Sequence, residues 1–448
     1  MARLLTPSDF GLVAMLGVFF ALSTSLVDSG FTSALIREKN ISETDKNTVF
    51  AINLIISVFL YFVLWWAAPL IARFFDQPQL IWLTRVMGLD ILFRSLTIVQ
   101  RAVFINELKF KLLSAIDIGV SILTGSVAII LAYYGLGVWA LAIKFFTSSF
   151  LVSIAFFWIN PWIPSGFVDV SSFKRLFSFG SNLLITGLIN TFFNNIYNII
   201  IGKFFSPATL GYYNRAFTFT SQTLSTVLIA LEQVSYPILS KTRDSSERMK
   251  TAYRKIIITI TFVNFLLATL LAFTAEPLIK VLLGDKWLET VPFIQILCIS
   301  AIVGHLASIN QTLYQVIGRS DLFLKVSVIS KILAIIGAVI GLNFGIWGLV
   351  IGSVIVKYIE VGIVMFISSV QIRYSFSEQL KDIFPVAMIT LPLVLLQNVL
   401  LGYEYHSDIF RLVIMFVSGC ILYIGLALLT RSVALKEIGL LVKSYLKK

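Results

Sequence analysis

The sequence predicts an all-α, polytopic membrane protein made of two similar lobes, and three observations predict it. Of 448 residues, 58% are hydrophobic and only 13% charged, about half the charged share of an ordinary soluble domain. Apolar windows long enough to cross a bilayer as helices recur along the whole chain. Two motifs also return at one fixed spacing. A closed β-barrel is the other architecture that satisfies backbone groups in lipid, but its strands are short and alternate in polarity. These windows do neither.

Polar punctuation between apolar runs gives thirteen candidate transmembrane helices. In order they are 10–35, 49–74, 80–104, 112–134, 137–158, 177–204, 208–240, 255–283, 289–317, 320–343, 345–369, 382–402 and 409–430. After the last, Lys436 to Lys448 mixes lysines with Ile438, Leu441, Val442 and Leu446. That segment reads either as a helix along an anionic membrane surface or as a frayed tail.

The repeat organises these helices. Ala67-Ala68-Pro69-Leu70-Ile71 returns as Ala275-Glu276-Pro277-Leu278-Ile279, 208 residues on, and Gly137-Val138-Trp139-Ala140-Leu141 returns as Gly345-Ile346-Trp347-Gly348-Leu349 at the same 208. Upstream, Thr6-Pro7 with Phe10-Gly11 answers Ser206-Pro207 with Leu210-Gly211 at an offset of 200. In the second copy the helix 177–204 precedes this motif, whereas only five residues precede it in the first. The comparison predicts that the first copy lacks its first helix here, so that a full arrangement has six helices, six helices, then two. An even number per copy makes the two copies parallel, related by an axis along the membrane normal. The expected divisions are an N-terminal lobe at 1–160, a second lobe at 161–370, and two extra helices with a basic tail at 371–448.

Orientation follows from lysine and arginine, which accumulate on the cytoplasmic side. One alternating set of connections holds 23 of the 35 basic residues and the other 7. The rich set includes Arg101, Lys109, Lys174, Lys250, Arg319 and the C-terminal lysines, which puts the C-terminus in the cytoplasm. The net charge of +12 is therefore topology, not a nucleic-acid surface.

Charges at membrane depth are costly and usually face a bundle interior or a wet cavity. Arg85, Arg94, Lys144, Lys331 and Lys357 fall there, with Asp28, Asp90, Asp117, Glu232 and Glu360. Asp90 with Arg94, and Lys357 with Glu360, stand at helical spacing, so local ion pairs explain each as readily as ligand binding does. Arg85 lies near a helix end, where snorkelling suffices. Lys144 and Lys331 have no acidic neighbour at such spacing and are the sharper candidates for binding an anion. Because the scaffold repeats while the charges do not, a polar cavity for an asymmetric, net anionic ligand is expected. Asn182, Thr186, Asn190, Asn194 and Asn198 follow at successive steps of four in one winding stripe of the helix 177–204, beside Asn195. Their amides could line a hydrated cavity and pair with sugar hydroxyls, or hydrogen-bond to neighbouring helices. Phe10-Gly11 through Asp28-Ser29-Gly30 reads as a close-packing face or a bend.

Other chemistry is poorly supported. Cys298 and Cys420 both sit in apolar runs, and His305 and His406 are isolated, which argues against disulfides, metal sites and any bound cofactor. No phosphate-binding loop or nucleophile elbow occurs. Short extracytoplasmic connections leave little room for a polymerase or ligase site, so the chain is not expected to be an enzyme.

Several stretches resemble the Wzx-type polysaccharide exporters, particularly the WzxC-like branch of the multidrug, oligosaccharidyl-lipid and polysaccharide transporter superfamily. They are Thr6-Pro7-Ser8-Asp9-Phe10-Gly11, Asp28-Ser29-Gly30, Gln100-Arg101, Asn194-Asn195-Ile196-Tyr197-Asn198, Gly202-Lys203-Phe204-Phe205, Leu210-Gly211-Tyr212-Tyr213-Asn214-Arg215 and Gly318-Arg319-Ser320-Asp321. The resemblance implies fourteen helices and alternating access in the bacterial inner membrane. It also implies a substrate, an oligosaccharide repeat unit on a polyprenyl pyrophosphate destined for O-antigen, capsule or exopolysaccharide. Membrane lipids, a polysaccharide polymerase and assembly proteins are the partners it suggests. Lipid II flippases of the superfamily carry a Tyr-Tyr-x-x-Arg stretch whose arginine contacts the head group. Tyr212-Tyr213-Asn214-Arg215 is one residue shorter, and by this likeness Arg215 joins Lys144, Lys331, Lys357, Arg94, Asn190, Asn194 and Asn198 as candidates for holding the substrate. The alternative is a cation-coupled multidrug exporter of the same fold, for which Asp28, Asp90 and Asp117 could bind H⁺ or Na⁺. Basic residues at membrane depth argue against cationic drugs.

Overall fold

A computed structural model describes residues 1–38, 41–166, 168–242 and 245–446, with side chains omitted at 226–228, 230–234 and 440–446. Its described residues fold into helices joined by turns and short connections, without strands. The first part of the chain forms α1 (Pro7–Asp28), α2 (Phe31–Arg37), α3 (Glu43–Phe75), α4 (Leu80–Ser95), α5 (Ile98–Asn106), α6 (Phe110–Tyr133), α7 (Val138–Ile159), α8 (Val170–Asn194) and α9 (Ile196–Phe204). After α10 (Pro207–Lys241) come α11 (Ser246–Leu282), α12 (Thr290–Val316), α13 (Ser320–Leu342) and α14 (Gly345–Gln371). The chain closes with α15 (Phe376–Leu401), α16 (Asp408–Leu429) and α17 (Val433–Leu446).

Every expected window overlaps one or two of these helices, with ends agreeing to within about a residue where it overruns them, and eleven segments among the described residues are long and apolar enough to cross a membrane. The windows 80–104 and 208–240, carried by α4–α5 and α10, are not among the eleven, so the count of thirteen is not reproduced by that measure. The protein is a multi-pass membrane protein. Three expected single helices are interrupted. Window 80–104 breaks near Leu96, where Ser95 and Thr97 turn their hydroxyls onto the carbonyls of Leu92 and Arg94 at 2.7 and 2.9 Å. Such bonds compete with the helical ladder. Window 177–204 starts earlier, at Val170, and breaks at Asn195, whose amide takes the carbonyl of Thr191 at 2.8 Å.

The chain divides into two compact units, Met1–Gly211 and Tyr212–Lys448. In the first, α3 packs on α4, α4 on α7 and α6 on α7; in the second, α11 packs on α12, α12 on α14 and α13 on α14. The pairings match the sequence repeat. Pro69 lies inside α3 and Pro277 inside α11, while Gly137 and Gly345, both at positive φ, open α7 and α14. Asp76 and Gly284, 208 residues apart, both take a positive φ after the proline-bearing helix. The tail of the second unit is also held. Ala434 at the start of α17 is fully buried against Tyr423 and Ala427 in a cluster that includes Phe262 and Leu393, and Lys255 pairs with Glu437 at 2.8 Å. The C-terminal segment is therefore a docked helix as far as its side chains are described.

Turns of the two copies are built alike from unlike residues. Between α5 and α6, Leu108 has φ 57°, and between α12 and α13, Gly318 has φ 77°. The next amide returns to the carbonyl five residues back in both, Lys109 to Phe104 at 2.8 Å and Arg319 to Tyr314 at 2.9 Å. A side chain other than glycine in this region costs about 1 kcal/mol. Leu108→Gly is therefore expected to raise thermal stability slightly, by up to about 1 kcal/mol, in a melting experiment in detergent.

The duplicated start signal meets itself. Thr6 caps α1 through a reciprocal pair with Asp9, and Ser206 accepts the Thr209 amide at 3.1 Å at the start of α10. Each cap is followed by a proline in the first turn, where no intrahelical donor is lost. Four residues further on, the helices cross so tightly that a Cβ on Gly11 would sit 1.7 Å from the Pro207 carbonyl oxygen. A Cβ on Gly211 would sit 1.9 Å from that of Pro7. A second close approach joins Gly30, at φ 72°, to Gly180, whose oxygen would lie 2.5 Å from an added Cβ. The small-residue stretch ending at Gly30 is thus both a bend, between α1 and α2, and a packing face for α8. Helices α8 and α9, which the sequence repeat assigns to the second copy, pack on α1 within the first unit.

Candidate functional site

A cavity of about 820 Å³ lies inside the first unit. The C-terminal half of α1 supplies Thr24, Ser25 and Asp28, α4 supplies Asp90 and Arg94, α5 Arg101, α6 Asp117, α7 Ser148 and Ser149, and α8 Thr191. The wall is rich in hydroxyls because helices tolerate serine and threonine that bond back one turn. Thr24 and Ser25 do so to Phe20 and Ala21 at 2.8 and 3.0 Å. Ser25 and Thr191 then link α1 to α8 at 3.3 Å.

Two ion pairs span the wall. Asp90, buried, accepts Arg94 Nε at 2.6 Å on one oxygen and the Ser149 hydroxyl on the other. Arg101 donates to Asp117 at 2.7 Å, and its guanidinium lies 5.8 Å from the Phe156 ring. Asp28 differs. It accepts the Thr32 amide at 3.2 Å and the Thr32 hydroxyl, and forms no ion pair among the described residues. Three carboxylates face two guanidiniums, so this cavity carries a formal excess of one negative charge. Hydroxyls and a carboxylate are a donor set that suits a small hard cation or a proton.

The structure brings together Asp28, Asp90, Asp117 and Arg94 from the candidates and does not bring the others to this cavity. Lys144, on α7, is half-buried, with no hydrogen bond or ion pair among the described residues. Asn190 and Asn194 are exposed on α8, and Asn198 on α9 reaches Asn195 at 3.4 Å. In the second unit, Lys331 is half-buried on α13 and Arg215 on α10 lies 5.9 Å from the Trp287 ring. Lys357 pairs with Glu360 at 2.6 Å, and Ser330 bonds the other Glu360 oxygen at 2.9 Å. The side chain of Glu232 lies outside those described. Sequence reading missed Arg101: it was counted with a cytoplasmic connection, but α5 carries it to the cavity wall. Its partner Asp117 is 16 residues away on another helix, beyond any local periodicity. The serines of α7 were invisible for the same reason.

A family profile described as polysaccharide biosynthesis protein matches residues 1–292. The chain is 26% identical over 299 residues to the teichuronic acid biosynthesis protein TuaB of Bacillus subtilis, covering 66% of this chain and 62% of that one. It thus spans less than two thirds of that relative's length. It is 22% identical over 367 residues to the lipopolysaccharide biosynthesis protein WzxC of Escherichia coli, covering 80% and 74%. Among solved structures it resembles the lipid II flippase MurJ, with a TM-score of 0.76 at 15% identity over 94% of this chain and 93% of that one. A multidrug resistance MATE transporter gives 0.66 at 15% identity over 83% and 92%. At these identities the structural likeness shows the fold alone. With the profile covering most of its length, the chain belongs to the polysaccharide biosynthesis protein family.

Proposed function

We propose that the protein is a flippase that carries oligosaccharide repeat units on polyprenyl pyrophosphate across the bacterial cytoplasmic membrane by alternating access, for surface polysaccharide. The observation that carries this reading is the hydroxyl-lined cavity among membrane-spanning helices, which suits sugar hydroxyls, in a chain of this family; its excess negative charge suits a coupling cation and not the pyrophosphate. Each sugar hydroxyl left without a partner in hydrocarbon costs roughly 2 to 7 kcal/mol, so a multi-sugar head group cannot cross lipid unaided. A polar path removes that cost, and transport makes or breaks no covalent bond. The names of TuaB and WzxC support the substrate class, and the fold of MurJ supports the mode of movement.

In this reading Lys144, Lys331, Lys357, Arg94 and Arg215 neutralise the pyrophosphate as the head group moves, and the amides of Asn190, Asn194 and Asn198 bond its sugars. The first lobe occupies 1–160, the second 161–370, and two further spans with a cytoplasmic tail 371–448. Asp28, the cavity carboxylate without a basic partner among the described residues, is the site for a coupling cation, with Asp90 and Asp117 behind it. That same carboxylate favours a second reading, a cation-coupled drug exporter. Polymerase and assembly proteins act on the delivered repeat unit.

The test is reconstitution. Vesicles containing the protein are expected to expose a fluorescent lipid-linked oligosaccharide to an outside glycosidase faster than empty vesicles do, with Asp28→Asn slowing transport about tenfold if it holds the coupling ion, the loss equivalent to about 1.4 kcal/mol. Equal rates with and without protein would remove the flippase reading. Drug extrusion by the same vesicles would establish its rival.

A further inference from the structure

One cation at membrane depth takes no part in the cavity. Arg85, on α4, sits in the corner between two indole rings, 4.5 Å from the centroid of Trp65 and 4.9 Å from that of Trp82. The rings stand at 89° to each other. They attract the guanidinium through their π faces and cover two of its sides. Its Nε is buried without a hydrogen-bond partner, and no carboxylate pairs with it among the described residues. The acidic groups nearest in sequence are already engaged, Asp76 by Lys203 at 2.9 Å and Asp90 by Arg94 at 2.6 Å. What remains available is the terminal edge of the guanidinium, a planar pair of donors.

The level of this corner restricts what can meet that edge. Arg85 stands five residues into α4, about 8 Å along its axis. Trp66 and Trp82 are 78% and 57% exposed, and Trp65 stands between Tyr61 and Trp82, with ring centroids 6.0 and 6.5 Å away, so that amphipathic aromatics gather around this corner. Such belts mark the boundary between hydrocarbon and head groups. At that depth an uncompensated guanidinium is stabilised by an anion, and a parallel pair of N–H donors fits phosphate oxygens two at a time. We infer that Arg85, held by Trp65 and Trp82, binds a phosphate group carried on a lipid, with the lipid chain lying along the exposed aromatic face. The site is separate from the cavity and does not depend on what the protein transports.

Native mass spectrometry of the detergent-purified full chain titrated with phosphatidylglycerol tests this. Wild-type protein is expected to retain one tightly held lipid. Arg85→Gln should weaken that lipid roughly tenfold, the equivalent of one charge-assisted contact. Arg85→Lys keeps the charge without the planar fork, so it should fall between the two, and it gives a folded comparison if the glutamine variant is unstable. Excess inorganic phosphate should leave the bound lipid in place. Equal lipid binding by wild type and both variants, or displacement of the lipid by inorganic phosphate, would overturn the assignment.

Discussion

Gly11→Val is expected to lower the stability of the protein by about 3 kcal/mol or more, the upper end of what overpacking costs, and to abolish transport in the vesicle assay. The Cβ alone would fall 1.7 Å from the Pro207 carbonyl oxygen, and the obstacle is backbone at the start of a helix, which cannot rotate aside as a side chain can. Gly211→Val should behave alike, since its Cβ would meet Pro7 at 1.9 Å. The pair gives a sharper test than either alone. If α1 and α10 are forced apart by the first substitution, the second meets open space, so the double variant should cost much less than the sum. Melting temperatures of the three variants in detergent decide it; strict additivity would show that the two glycines do not share one contact.

Asp90→Ala is expected to destabilise by about 2 to 3 kcal/mol, below the 3 to 5 usual for a buried pair because the Arg94 side chain is half exposed. The carboxylate accepts from Arg94 and from Ser149, so its removal strands a guanidinium and a hydroxyl at membrane depth. Asp90→Asn keeps the shape and the hydroxyl's acceptor and should cost less. Adding Arg94→Gln to Asp90→Ala should restore part of the lost stability by removing the stranded charge. Transport should stay low in the double variant if the charges serve the substrate or ion, and recover with stability if the pair only braces α4 against α7. A double variant no more stable than Asp90→Ala would deny that Arg94 is the source of the cost.

The architecture was legible wherever a signal was local. Apolar length located the membrane-spanning segments, and proline, glycine and tryptophan kept in register exposed a repeat that the packing of α3, α4, α6 and α7 and that of α11 to α14 reproduce. Interruptions were less legible. Ser95 and Thr97 read as ordinary polar residues until their hydroxyls are seen on the carbonyls of the preceding turn, and Asn195 is one asparagine among several. Site residues followed the same division. Asp90 with Arg94, and Lys357 with Glu360, were readable as pairs because four and three residues bring side chains onto one helical face. Arg101 with Asp117, and Asp90 with Ser149, join separate helices, and nothing in one sequence marks which helices touch. Arg85 was assigned to snorkelling, a reading that could not anticipate two tryptophans from different helices closing a corner around it.

The affiliation of α8 and α9 bears on how such a chain descends from a shorter one. A helix inherited with the second copy but seated against α1 of the first ties the two copies into a single heritable object. Recombination at the boundary of the duplication would strand that helix away from its seat and leave the glycine at position 30 facing nothing.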